Sequence, residues 1–160
     1  MHELSLEGAF THPHWLAFLC GGLSAARVSV VSGNAVRLSP MQWKGQFLVD
    51  GPVEGLDVLK LAATRPTVRD ATTPRLSSYA IARRTDGQLE LKVTAPDSLG
   101  FLGRLLSRIS LLTLLPSGLE ISTVKGDISD VFVLTGIGTA GVNDEVAGAL
   151  EAMLAPMVTT

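Results

Sequence analysis

The chain has 160 residues, 46% hydrophobic and 18% charged, with a formal net charge of -2. That is enough apolar material for one ordinary domain or two small ones. A near-neutral balance, with five Phe, two Trp and one Tyr not interleaved with basic residues, gives no footprint for a phosphate backbone, so nucleic acid is not expected as a partner. Cys20 is the only cysteine, which excludes an intramolecular disulfide and fits a reducing compartment.

His2 to Phe10 reads as a strand in which Leu4, Leu6 and Gly8 alternate with Glu3, Ser5 and Glu7. Thr11-His12-Pro13 reads as a helix start, capped by Thr11 or His12. The helix carries Leu16, Leu19, Cys20 and Leu23 on one stripe and is expected to stop near Gly21-Gly22 or Ser24. Arg27–Val31 reads as a strand, Gly33-Asn34 as a turn, and Met41–Val49 as an alternating strand ended by Gly51-Pro52. A short helix with Leu56, Leu59 and Ala63 follows. Arg65 to Ser78 has two prolines and no apolar period, and reads as a linker.

Tyr79–Arg84 and Leu89–Ala95 flank Asp86-Gly87, a hairpin signal for a type I′ turn with positive φ at both residues. Arg83 and Arg84 are expected to face Glu90 across that hairpin. Thr94-Ala95-Pro96-Asp97-Ser98-Leu99-Gly100-Phe101-Leu102 then forms a strand-to-helix elbow. The helix behind it has Leu99, Leu102, Leu105, Leu106, Ile109 and Leu112 on one stripe, with Asp97 or Ser98 as its cap. Pro116-Ser117-Gly118 punctuates, Leu119–Lys125 reads as a strand, Gly126-Asp127 as a turn and Val131–Thr135 as a strand. Asp127 and Asp130 look like solvated turn residues, and Gly136-Ile137-Gly138 like turn punctuation. Asn143 caps a last helix with Asp144 and Glu145 in its first turn, and Pro156 onward leaves no room for a full final strand.

The second half, "LKVTAPDSLGFLGRLLSRIS…SGLEISTVKGDISDVFVLTG", resembles an ACT domain, and "ISTVKGDISDVFVLTG" is similar to the C-terminal ACT repeats of the nitrogen-sensing uridylyltransferase. The first half repeats the order strand, helix, strand, strand, helix, and "FTHPHWLAFL" lies over "VTAPDSLGFL". The resemblance implies an α+β fold of two tandem ferredoxin-like (β-α-β-β-α-β) units, with antiparallel sheets and helices on one face. The units would span residues 1–64 and 79–160, joined by a 65–78 linker, with strand 79–84 standing in for the missing last strand of the second. It further implies amino-acid ligands bound between paired domains. Matched residue by residue, the ligand positions are Asp97 at the elbow and Glu120 at the opening of the next strand. Asp97 would hold an ammonium group, and the first-turn amides near Ser98, Leu99 and Gly100 a carboxylate. Against this stands a plain structural role, with Asp97 as helix cap and Gly100 as packing space. In the first half a histidine, in the segment His12-Pro13-His14, occupies the position of that glycine, so the first elbow is expected to be structural.

Other chemistry finds no support in the residues. His12 and His14, two apart at a helix start, lack further ligands for a metal, and Cys20 sits on a core stripe. There is no G-x-S-x-G, P-loop or G-x-G-x-x-G, so no enzyme activity, cofactor or metal is expected. The first residues lack the basic start and apolar run of a signal peptide, and Arg104 and Arg108 interrupt the most apolar stretch, so a soluble cytoplasmic protein is expected, without membrane association. A mean hydropathy of +0.35 favours some apolar surface being covered in a homodimer. The expectation is a regulatory, amino-acid-sensing protein; the alternative is a ligand-free dimerisation module built from the same units.

Overall fold

The computed structural model describes residues 1–10, 12–65, 72–136 and 141–158. Thr11 as a cap, the middle of the linker and the Ile137-Gly138 turn lie outside them. The elements are β1 (His2–Ala9), α1 (Trp15–Ala25), β2 (Ser29–Ser39), β3 (Gln42–Asp50), α2 (Val58–Ala63), β4 (Ser78–Arg83), β5 (Leu89–Pro96), α3 (Phe101–Ser110), β6 (Leu114–Val124), β7 (Asp127–Gly136) and α4 (Asp144–Leu154). The fold is α+β: the seven strands form one antiparallel sheet in the order β1-β3-β2-β6-β7-β5-β4.

The strand pattern explains the layering. Period-two alternation puts Leu6, Trp43, Phe47, Ala35, Leu119, Ile121, Phe132, Leu134, Leu91 and Val93 on one face, where they are buried in a single core with Leu16, Leu19 and Leu23 of α1 and Leu105 and Ile109 of α3. The other face carries Glu3, Ser5, Lys44, Gln46, Asn34, Glu120, Ser129 and Lys92. The first half, ordered β1-β3-β2, meets the second, ordered β5-β7-β6, through the pairing of β2 with β6, from Gly33↔Ile121 to Val36↔Gly118. The core is therefore continuous across the two halves.

Several boundaries differ from expectation for identifiable reasons. Helix α1 runs through Gly21-Gly22 because these glycines let neighbours approach: a Cβ on Gly22 would sit 2.8 Å from Leu61 of α2, and one on Gly103 of α3 would sit 3.2 Å from the Gly21 amide. The helix stops instead at Arg27, whose positive φ of 63 lets its amide bond the Ser24 carbonyl while the Val28 amide bonds Leu23. Gly33-Asn34 lies inside β2, not in a turn, and Pro116-Ser117-Gly118 lies inside β6 at a bulge.

The type I′ turn expected at Asp86-Gly87 is found instead at the hairpin between β6 and β7. Asp86-Gly87 closes a type I turn on Thr85-Asp86, with the Gly87 amide bonding the Arg84 carbonyl and only Gly87 at positive φ, 83. Asp86 stabilises it by accepting from the Gln88 amide at 3.0 Å, a bond that also holds its carboxyl below the usual range. The type I′ geometry falls at Lys125-Gly126, φ 53 and 80, between the paired Val124 and Asp127. Arg83 and Arg84 do not reach Glu90: Arg83 bonds Asp144 and the Val142 carbonyl on the approach to α4, Arg84 pairs with Asp86, and Glu90 pairs with Lys92.

At the C-terminal helix, Asn143 Oδ1 accepts the Val146 amide at 2.8 Å, the expected cap, with Asp144 and Glu145 in the first turn. Asn143→Ala should cost about 1 kcal/mol, read as a lower urea midpoint at unchanged slope; an unchanged midpoint would contradict the cap's contribution. After α4 a single 3-10 turn, Ala155–Met157, brings Val158 into an isolated parallel bridge with Leu76.

Candidate functional site

The elbow between β5 and α3 is the first component. The strand ends at Pro96, the Asp97 amide bonds the Gly126 carbonyl, and Gly100 turns the chain into α3 at φ 82. Glycine is required there twice over: the backbone is left-handed, and a Cβ would lie 2.7 Å from Ser24 Oγ of α1. The space at Gly100 is thus filled by a side chain of the first half. Neither Asp97 nor Ser98 caps the helix, since α3 has no side-chain cap. Ser98 Oγ instead accepts from Arg104 Nη2 at 3.0 Å, while Arg104 Nη1 donates to the Leu99 carbonyl at 2.9 Å. The elbow is braced from α3, which leaves the Asp97 carboxylate without a capping duty.

Behind the elbow lies a cavity of about 30 Å³. Its walls come from both halves of the chain: Cys20 and Ser24 of α1, Ser29 and Val30 at the start of β2, Asp97 to Phe101, and Thr123 and Asp130 of the sheet. Asp97 and Ser98 are exposed at its rim, and Asp130 is 1% exposed at its floor. The space is that of one or two waters.

Asp130 is not a solvated turn residue. It lies in mid-strand on the core face of β7, opposite Ile121 of β6 and Val93 of β5. Its Oδ1 accepts the Ser122 amide at 3.3 Å, the one hydrogen bond it makes among the described residues, and no cation pairs with it there. Burial pushes its carboxyl up to about 7; the Ser122 bond opposes the rise and the charge of Asp97 adds to it. Beside it, the Thr123 hydroxyl is buried without a hydrogen-bond partner among the described residues. Cys20, buried at 5% exposure, has its thiol pushed up to about 12 by burial and secondarily by Asp130, which removes it as a nucleophile near neutral pH.

The predicted ligand residues are only partly brought together. Asp97, Ser98 and Gly100 line the cavity, and Leu99 stands next to them with its carbonyl engaged by Arg104. Glu120 does not join them. It is exposed on the opposite face of the sheet, paired with Asn34, in a shallow depression with Ser32, Ser122 and Ser129. In an alternating strand whose Leu119 and Ile121 are buried, residue 120 must point the other way. The residues that sequence reasoning missed are Asp130, Thr123, Ser24 and Cys20 as cavity walls. The period-two run Ile128, Asp130, Phe132, Leu134 was the available signal for Asp130.

The first elbow differs in kind. His14 precedes α1 without capping it, its amide bonds His12 Nδ1 at 3.1 Å, and the His12 ring lies 4.5 Å from that of Phe18. His14 is held below the usual histidine range by burial, with the charges of His12 and Arg65 adding. Among the described residues no three His, Cys, Asp or Glu converge on a metal position. Among them, also, no helix is long and apolar enough to cross a membrane.

Fold and site together define an α+β protein with one antiparallel sheet and a small, acid-floored cavity where its two halves meet. No protein-family model, curated protein or solved structure matches the chain.

Proposed function

We propose that the chain is a non-enzymatic regulatory module of two ACT-like, ferredoxin-like units in tandem, binding an amino acid or related metabolite where the units meet. The observation that carries the reading is the position of the cavity. The elbow singled out by the resemblance lies against α1 and β2 of the other half, so an occupant would touch both. The repeated strand orders, joined through β2 and β6, fit two similar units side by side, and β4 beside β5 fits a strand that stands in for a missing last one. A ligand bound at such a junction stabilises the arrangement that forms the junction, which is how occupancy becomes a signal.

A specific observation favours the alternative, a ligand-free dimerisation module: about 30 Å³ does not hold a whole amino acid. Exposed Leu38 and Met41, 59% and 54% accessible at the β2–β3 hairpin, offer apolar surface for a second copy.

The test is a thermal-shift screen against the twenty amino acids at up to millimolar concentration, with oligomer mass measured in parallel. The sensing reading expects one chemical class to raise the melting temperature by about 2 to 4 °C, with the gain lost in Asp97→Ala while the oligomer persists. A dimer unaffected by every compound selects the ligand-free module.

A further inference from the structure

The cavity floor poses a problem of charge that the chain does not solve for itself. Asp130 is 1% exposed, accepts one hydrogen bond, and forms no ion pair among the described residues. An ionised carboxylate so placed lacks most of the hydrogen bonds and the countercharge that burial requires. Thr123, its diagonal neighbour on the same face of the β6–β7 pair, has a buried hydroxyl with no hydrogen-bond partner among the described residues. Diagonal neighbours stand roughly 7 Å apart, a gap that one small hydrogen-bond donor can bridge.

The groups around Asp130 come from several elements. From α1 comes Cys20, whose high thiol pKa keeps it uncharged. The elbow supplies Asp97, a second negative charge. Arg104 of α3 directs its Nη atoms to Ser98 Oγ and the Leu99 carbonyl at the rim and forms no ion pair with Asp130. From β5 and β6 come Val93, Ile121 and Thr123, which are neutral. The cavity also opens beside the C-terminal turn of α1, at Ser24, where the helix dipole is negative. The two carboxylates and the C-terminal end of α1 favour a positive occupant at the floor, opposed by the positive N-terminal turn of α3 at Gly100 to Gly103, and the volume suits a group the size of water.

We propose that Asp130 and Thr123 form the anchor of a site for one primary ammonium group, with the remainder of the ligand lying at the rim beside Asp97 and Ser98. The bound ammonium donates to the free carboxylate oxygen of Asp130 and to Thr123 Oγ1. Because the carboxyl must be ionised to receive it, binding strengthens as pH rises and expels a proton wherever Asp130 was still protonated. This deepens the sensing reading by naming the ligand group and its anchor, and moves the ammonium from Asp97 to Asp130. It also accounts for the small volume: the floor holds only the head of the ligand.

The experiment uses methylammonium chloride as probe and tetramethylammonium chloride, too bulky for the cavity and of equal ionic strength, as control. Melting temperature is followed for the wild-type chain, Asp130→Asn and Thr123→Val. At about pH 8, tens of millimolar methylammonium should raise the wild-type melting temperature by about 3 °C over the control. The rise should vanish at about pH 5, where Asp130 is protonated, and in Asp130→Asn. In Thr123→Val, which keeps the carboxylate, it should shrink to about half or less. A rise shared by tetramethylammonium, a rise that survives in Asp130→Asn or is undiminished in Thr123→Val, or no rise at all overturns the site and leaves a cavity for water. Glycine and the other amino acids test the sensing reading separately. An amine effect without an amino-acid effect keeps the anchor and removes the amino-acid ligand; an amino-acid effect that persists in Asp130→Asn does the reverse.

Discussion

Replacing Asp130 with Asn should stabilise the protein by roughly 2 to 4 kcal/mol at about pH 8 and flatten its stability between about pH 4 and 7. The sign follows from where the proton sits. In the unfolded chain the carboxyl ionises near its ordinary 3.8, and in the folded chain at about 7. Between these values the unfolded chain has lost a proton that the folded chain retains, so the folded state is progressively disfavoured as pH rises. Below the window both states are protonated and the residue contributes nothing; above it the cost is constant. The separation of the two values sets an upper bound of about 4 kcal/mol. Asn keeps an oxygen for the Ser122 amide at Oδ1 and carries no charge to bury. Urea denaturation of both proteins across the range provides the check. Parallel stability curves for the two would show that Asp130 ionises in the fold as easily as in water.

The opposite effect is expected at Gly33→Ala, which should cost about 3 to 5 kcal/mol. Gly33 stands in β2 between β3 and β6, at φ 153, where an L side chain is strained. A Cβ there would lie 2.4 Å from the Gln46 carbonyl oxygen and 2.8 Å from Phe47 Cα. Both are backbone atoms of a paired strand, so relief requires moving β3 away from β2. Gly148→Ala supplies the contrast. It lies within α4, with no heavy atom within 4 Å of the added methyl, and should gain up to about 1 kcal/mol. Comparable midpoints for the two variants would mean that the β2–β3 pair yields at Gly33 without loss.

These two positions also mark the limits of what the chain's pattern reveals. Alternating runs such as Leu89, Leu91, Val93 and the stripe Leu102, Leu105, Leu106, Ile109 report directly on which face is buried, and the β5 strand and α3 helix follow them closely. The Asn143 cap was legible because its partner amide is three residues away. Gly33-Asn34 was not, because a glycine that permits close strand approach is written the same way as one that permits a turn. The same ambiguity hid the continuation of α1 through Gly21-Gly22.

For the cavity, the elbow was legible and its surroundings were not. Ser24 and Cys20 come from a helix some eighty residues earlier, and nothing local to Asp97 indicates that α1 packs there. Asp127-Ile128-Ser129-Asp130 reads as a polar turn by composition, yet strand phase places its second acid among Ile128, Phe132 and Leu134. Glu120 shows the converse error: motif matching put it beside Asp97, while the alternation of Leu119, Glu120 and Ile121 already placed it on the other side of the sheet.

The joining of β2 to β6 has a consequence during synthesis. The partner residues Gly118 to Ile121 emerge about 85 positions after Gly33 to Val36, which at ordinary translation speeds is about 4 to 17 s. Throughout that interval the nascent first half carries a β2 flank whose Val30 and Val31 adjoin a row of unpaired amides and carbonyls. Speed of elongation, and whatever shelters the emerging chain at the ribosome, therefore bear on the yield of folded protein, because the strand that closes this edge is among the last to arrive.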